Sequence, residues 1–548
     1  MFVRVKRCKN KNGSVREYLL LCTAKREGKR VKQITLANLG RLDSSSTQRS
    51  IDTIIDNLVK FSKKRAIIDA SKGLFAEYAK VYGPVVVFKS LWEKTGLKRI
   101  MERFAKESNC EFDLVSTIFA LVLNRLIDPM SKLSTYDWIK KEIYLHGVEQ
   151  DIELHHLYRS LDFLERKAKE IEDTLYYQDL NLFNAHVDLV FFDTTSIKFY
   201  GEENELMQRG LSKDKRGDLN QVIVGIVMRR DGKPISHHIF SGNTVDVKAF
   251  KAVILDLKER FGLKRVIFVG DRGMVSKENI DLLEQEGLEY ILGVKLRSLK
   301  EVREEVLTRA GRYQKIKDNL FIKEIKLNQK RYIICFNPYE AEKDGLDREM
   351  LLEKLKQLVK EAPKGLIKNR GYKRYLTVER GGIKINLKKV EAEKKYDGKY
   401  VITSNTELKA EEIALAYREL WKIERVFREL KSHFEIQPIY HYVPRRIKAR
   451  IFLCFLALLL EWEFTKRLKE MEPEISPHQV IKDLLTVRVV KLRCNDKYYL
   501  VRTELNGKAY LGFRAAGIAV PPRVLEIGKN VVGTSEITGE KCPNIGKF

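Results

Sequence analysis

HVDLVFFDTT (186–195), NQVIVGIVMRR (220–230) and KPISHHIF (233–240) follow one another as short apolar runs, and RVIFVG (265–270) and YILGVK (290–295) come after them. Runs this brief and this rich in Val, Ile and Phe, bounded by turn residues, read as strands. The stretches 247–260 and 277–287 between the later runs carry helical spacing. Three strands and then an alternation of helix and strand predict a mixed sheet flanked by helices.

The α/β class that this order describes is a ribonuclease-H-like mixed-sheet core. In such a sheet Asp193 lies on the first strand and Asp271 at the end of the fourth, on adjacent central strands. A third acid, Glu424, stands inside the strongly helical YRELWKIERVFRELK (417–431). Strand ends give a carboxylate little positional freedom, and a helix can bring a third against them. Such a trio suits a pair of Mg²⁺ ions, with Mn²⁺ as a substitute, because these ions need oxygen ligands and open positions for phosphate and water. The chemistry indicated is phosphodiester cleavage or transfer. Two other acids, Glu419 and Glu429, each lie five residues from Glu424 and therefore about 140° round a helix, whereas Tyr417 and Lys431 lie seven away on its own face.

Outward from this core, LFIKEIK (320–326), KRYIICF (330–336), RYLTVER (374–380) and IKINLKKV (383–390) are amphipathic strands around a charged helix over 347–361. They mark 296–398 as an inserted β-rich subdomain that divides the core into a leading segment (183–295) and a trailing segment (399–472). The trailing segment starts at KYVITSN (399–405) and continues through one helix over 409–433 and a second over 446–470. Upstream, 49–182 places apolar residues at three- and four-residue spacing and predicts a helical domain, to which charge and the resemblance set out below give DNA binding or dimerisation. Residues 1–48 alternate apolar and basic runs around an Asn12-Gly13 turn signal and predict a small basic β-meander. The C-terminal region, 473–548, mixes a helix with short strands, and its polar tail from Gly533 is expected to be disordered. There is no internal repeat and no GxxxxGK[ST] phosphate loop, so ATP use is not indicated.

With 548 residues the chain is too long for one ordinary core. Its 103 Lys and Arg exceed 75 Asp and Glu by 28, and the basic residues cluster at 25–32, 63–65, 368–374 and 445–450. Such an excess points to a polyanionic partner, most often nucleic acid; the resemblance set out below makes that partner double-stranded DNA. No membrane partner is expected: the longest apolar run, 451–460, is ten residues between Arg450 and Glu461, against about 20 for a span. Cys8, Cys22, Cys110, Cys335, Cys454, Cys494 and Cys542 are scattered and never spaced as CxxC, and the N-terminus MFVRVKRCKNKNG has no apolar signal core. Both features fit reduced thiols in the cytoplasm; nucleoid association is what the resemblance set out below implies.

FFDTTS (191–196), SGNTVD (241–246), VGDRGMVS (269–276) and YRELWKIERVFRELK (417–431) together resemble the DDE transposases of bacterial insertion sequences, in the group with a β-strand insertion before the glutamate. The resemblance runs from about 188 to 431. It implies that Asp193, Asp271 and Glu424 are the catalytic metal ligands. The group's glutamate helix carries Tyr, Arg, Glu and Lys. Here Tyr417, Glu424 and Lys431 match, and Leu420 holds the Arg position. Tyr417 and Lys431 would then contact the phosphates flanking the cut, with Arg418, Arg425 or Arg428 replacing the absent Arg. Arg272 would steer a phosphate or form a structural ion pair. Thr194, Asn243 and Asp246 would support the site from behind, the plain alternative for SGNTVD being a turn and helix cap. His237 and His238 point to opposite faces of a strand and make a poor joint metal pair.

The resemblance implies a bacterial or archaeal transposase that nicks the element end with water and then directs the freed 3′-hydroxyl at target DNA. It would act as a homodimer on paired ends, its first 180 residues reading the terminal inverted repeats. The alternatives are a ribonuclease-H-like endonuclease without strand transfer and a non-catalytic DNA-binding descendant. A hairpin route of excision would need a Tyr or Phe from the insertion to stack a flipped base, since Trp92, Trp138, Trp421 and Trp462 all lie outside it.

Overall fold

A computed structural model of the chain describes residues 1–10, 13–27, 30–59, 74–108, 110–179, 188–210, 218–244, 246–261, 266–272, 276–361, 372, 374–379, 382–437, 439, 441–494 and 497–529. The tail from Gly533 lies outside them. Two compact units result: 1–79 with 490–501 and 523–548, and 80–489 with 502–522.

The smaller unit begins with β1 (Phe2–Lys9), β2 (Val15–Glu27) and β3 (Arg30–Arg41), an antiparallel meander, followed by α1 (Ser45–Val59) and β4 (Leu74–Val81). It ends with β16 (Arg488–Cys494), β17 (Lys497–Arg502) and β18 (Val524–Lys529), in a sheet ordered β18-β17-β16-β4. Residues 74–81, expected within a helical domain, thus form a strand whose partners come from the far end of the chain.

The larger unit opens with α2 (Gly83–Lys94), α3 (Leu97–Lys106), α4 (Leu114–Ile127), α5 (Lys132–Lys141) and α6 (Leu154–Asp179). Its central sheet contains β5 (Asp188–Phe199), β6 (Asn220–Arg229), β7 (Pro234–Ser241), β8 (Val266–Gly270) and β9 (Glu289–Val294), with α7 (Asp246–Phe261) and α8 (Lys277–Gln285) between the later strands. β10 (Gln314–Lys317), β11 (Leu320–Leu327), β12 (Lys330–Phe336) and β15 (Lys399–Ser404) complete it, in the order β10-β11-β12-β15-β9-β8-β5-β6-β7. The pairs β5–β6 and β6–β7 are antiparallel, while β5–β8 and β8–β9 are parallel.

The β-rich segment expected as a separate insertion is therefore divided. Its first three strands lengthen the central sheet, since β12 pairs antiparallel with β15 and β15 with β9. The remainder forms a satellite of α9 (Pro338–Glu361), the hairpin β13 (Leu376–Glu379) and β14 (Gly382–Ile385), and α10 (Leu387–Lys394), around Leu355, Tyr375, Leu376 and Val390. The expected strand over 383–390 stops at Asn386, whose side chain accepts from Lys389 N and caps α10 instead.

Period-two alternation gives the sheet two buried faces. Val190 and Phe192 pack with Phe250 and Leu257 of α7 on one face; Leu189 and Phe191 join the larger core on the other. That larger core also contains α2 to α6 and α13 (Pro444–Met471), so the helices expected as a domain of their own share a core with the sheet. The apolar run 451–460 is the buried middle of α13. Among the described residues no single helix is long and apolar enough to cross a membrane. α14 (Pro477–Leu484) and α15 (Ala509–Ala515) complete the unit.

The segment expected as one helix over 409–433 is three pieces: α11 (Ala410–Arg418), α12 (Trp421–Arg428) and a π-helical turn, Glu429–His433. At the first join, Glu419 N and Leu420 N bond the carbonyls of Ala416 and Tyr417, three residues back, which tightens the chain.

Candidate active site

The parallel register of β5 and β8 pairs Phe191 with Val269, so Asp193 and Asp271, each two residues farther on, stand level on neighbouring chains. Asp193 continues the Leu189–Phe191 face, the face that α12 covers. The outcome is one cleft of about 280 Å³ lined by Asp193, Asp271, Tyr400, Tyr417, Arg418, Leu420, Trp421, Ile423 and Glu424. Asp271 and Glu424 are exposed and Asp193 is half-buried, so the acids face solvent.

Asp193 is held at its root, where Oδ1 accepts from the Thr194 amide at 2.7 Å. Thr194 itself is 1 % exposed. Asp271 follows the last residue of β8, and its Oδ1 accepts from the Tyr417 hydroxyl at 3.3 Å. Burial, and then the adjacent Asp271 carboxylate, raise the Tyr417 hydroxyl well above its ordinary pKa, so it remains a donor. Tyr417 stacks on Tyr400 at 5.6 Å between ring centroids. Its hydroxyl lies over Gly293 of β9, where an added Cβ would come within 2.0 Å of it. Only glycine at 293 leaves room for this tyrosine.

Of the three arginines considered as substitutes at the Leu420 position, Arg418 alone lines the cleft; its Nη1 donates to Asn319 at 3.0 Å. Arg425 faces another cavity and lies 3.8 Å from Glu429. Arg428 is exposed at the end of α12, and Arg272 is exposed beside Asp271. Lys431 sits in the π-helical turn and does not line the cleft. Asn243 accepts from Ser241 Oγ at 2.5 Å in the turn after β7, away from the acids. Asp246 begins α7, and its side chain lies outside the described residues. The other two acids of the segment are engaged elsewhere: Glu419 with Lys422 and Arg230, Glu429 with His478 and Arg425.

The cleft also holds residues to which sequence reasoning gave no role. Trp421, 54 % exposed, stands at its lip, and Tyr400 forms part of its wall. An aromatic on the exposed side of an otherwise charged helix was the available signal for Trp421. Tyr400, in an ordinary strand, offers none. His237 and His238 meet different carboxylates, Glu172 at 2.6 Å and Asp256 at 3.9 Å.

A family model described as "Transposase DDE domain" matches residues 188–460, and one described as "IS1634 family transposase, N-terminal domain" matches 3–71. The first spans all three acids of the cleft. The chain belongs to the DDE transposases of bacterial insertion sequences. No curated protein matches it in sequence. Among solved structures, the piggyBac transposase synaptic complex with hairpin DNA is similar at 9% identity and a TM-score of 0.40, covering 74% of this chain and 80% of that one. The Mos1 transposase paired-end complex with left transposon end is similar at 13% identity over 35% of this chain and 65% of that one, with a TM-score of 0.14. Scores of this size define no shared fold, so the assignment rests on the family models.

Proposed function

We propose that the chain is the enzyme of a bacterial insertion sequence, cutting DNA at the element's ends and joining the freed ends to target DNA from one ribonuclease-H-like site. The observation that carries this reading is the single open cleft to which β5, the end of β8 and α12 each bring a carboxylate. Its three acidic side chains offer only oxygen donors on a side open to solvent, which fits Mg²⁺ and a phosphate group arriving together. Asp193, Asp271 and Glu424 would hold two such ions, which when bound stabilise charge on the attacking and leaving oxygens of a phosphodiester.

The remaining groups orient and bind. The Thr194 amide fixes Asp193, and Tyr417, kept protonated, fixes Asp271 and would donate to a phosphate oxygen entering the cleft. Arg418 supplies positive charge at the cleft, in place of the arginine absent at Leu420. Trp421 presents an open ring at the lip on which a base can stack. The net charge of +28 supports DNA as the partner, with terminal inverted repeats and target DNA as successive substrates. A homodimer on paired ends is the assembly that would bring two such clefts to one target.

The test is an assay with labelled element ends, Mg²⁺ and a target plasmid. Nicked ends and joined products are expected from the wild type and neither from Asp193→Asn. Nicking without joining would favour an endonuclease, and end binding without either would favour a non-catalytic descendant.

A further inference from the structure

The segment that carries Glu424 has a second constellation, away from the cleft. His433 ends the π-helical turn, Glu461 lies in the middle of α13, and His478 stands in the first turn of α14. One donor atom from each lies within 4.8 Å of the other two. The two imidazoles meet at 4.5 Å between centroids. His433 Nε2 donates to the Leu126 carbonyl at 3.0 Å, which leaves Nδ1 with the lone pair. An imidazole fixed in this way by a backbone carbonyl is the arrangement seen behind metal-binding histidines.

An independent observation comes from Glu461. It is 4 % exposed, and its Oε1 is sealed from solvent with no hydrogen-bond partner among the described residues. A carboxylate oxygen left so in a protein interior is costly. A cation between it and the two imidazoles removes that cost. Glu429, whose carboxylate is 3.2 Å from His478 Nε2, orients that imidazole from behind. Arg425, 3.8 Å from Glu429, is the nearby cation, and it keeps the cluster from carrying two uncompensated negative charges.

We propose that His433, Glu461 and His478 hold a divalent ion of the zinc class, which ties the end of the glutamate segment to α13 and α14. Two imidazole nitrogens with one carboxylate oxygen favour Zn²⁺ over Mg²⁺, unlike the all-oxygen cleft, and leave a fourth position for water. Bonds of about 2.0–2.1 Å put tetrahedral donors roughly 3.4 Å apart, so side-chain rotation has at most about 1.4 Å to close. The site is a staple: it fixes the segment beyond Glu424 without touching substrate.

The full-length protein, stripped with chelator, is titrated with Co²⁺ and followed by its visible absorption, then back-titrated with Zn²⁺. One Co²⁺ per chain with intense tetrahedral bands, displaced by Zn²⁺, is expected. His478→Ala, at a half-exposed position, and the isosteric Glu461→Gln should each weaken binding at least about tenfold, while Asp193→Asn leaves it unchanged. The proposal is overturned if the wild type gives no such bands, if both variants bind as tightly as the wild type, or if Asp193→Asn abolishes the signal, which would place the ion in the acidic cleft.

Discussion

Two acidic groups border the same sheet and are kept in opposite ways. At the β7 edge Glu172 is 1 % exposed and meets Arg260 at 2.9 Å and His237 Nδ1 at 2.6 Å. Arg260 also binds Asp173 and Asp256, so α6, β7 and α7 are joined by one sealed network. Burial pushes the Glu172 pKa up, yet His237 and Arg260 together hold it below the ordinary carboxylate value. In the cleft, Asp271 and Glu424 are exposed, and the donors that fix Asp193 and Asp271 include an amide and a phenol. Charge neutralised inside the fold holds elements together. Charge kept at an open cleft is available to something arriving from solution.

The largest effect separates these two roles. Asp193→Asn or Asp271→Asn should lower Mg²⁺-dependent nicking about a thousandfold or more, since each removes an anionic ligand and several kcal/mol of barrier stabilisation. DNA affinity should stay within a few-fold, because it comes from Lys and Arg elsewhere, and the thermal midpoint should not fall. Nicking and gel-shift assays on the same preparations decide it; near-normal nicking by either variant would remove the cleft from the chemistry. Within the glutamate segment, Glu424→Gln should be as severe, whereas Glu419→Gln and Glu429→Gln should retain most cleavage. Loss at Glu429 with retention at Glu424 would put the catalytic acid on the wrong side of α12.

How far the sequence could be read depends on what sets each feature. The level placement of Asp193 and Asp271 was legible because strand order and period-two alternation are local, repeated signals. The break at Glu419-Leu420 was not: no Gly or Pro marks it, and it goes with burial of Leu420 against the core. Seven-residue spacing therefore put Tyr417, Glu424 and Lys431 on one stripe, while the tightened join and the π-helical turn leave Lys431 off the cleft. An amphipathic strand does not declare which edge it will join, so β10 to β12 read as a separate subdomain when they extend the sheet. The fit of Gly293 under Tyr417 depends on two elements far apart in sequence, and no local pattern carries it.

The sealed network should respond in stability where the cleft responds in rate. Glu172→Gln leaves the Arg260 guanidinium buried with one partner fewer, a loss of about 3–5 kcal/mol for a broken buried pair, measurable by urea unfolding. A smaller effect follows from His238, whose pKa burial lowers to about 4. The unfolded imidazole, near 6.5, binds its proton first on acidification, so stability contributed by keeping His238 neutral is complete above about pH 6.5 and declines as pH falls toward 4. The integrated change is about 3 kcal/mol. His238→Gln should flatten the stability profile across that window; an unchanged profile would mean that other groups set it.

The smallest effect tests whether the open cleft continues into a surface for DNA. Trp421 is 54 % exposed and lines both the acidic cleft and the neighbouring cavity bounded by Trp462. An indole so placed contributes little to the core, so Trp421→Ala should change stability by less than about 0.5 kcal/mol. If a base stacks there, the variant should lose about 1–2 kcal/mol of binding to DNA ends with an unpaired or distorted base near the cut, and less with undistorted duplex. Trp421→Phe, which keeps a ring, should recover most of that loss, and the lone charge change Glu419→Gln should show no such dependence on base pairing. Equal loss on both DNA forms, or no recovery by Phe, would assign Trp421 to shaping the cleft wall and leave the stacking role to Tyr400, Tyr417 or a residue outside the cleft.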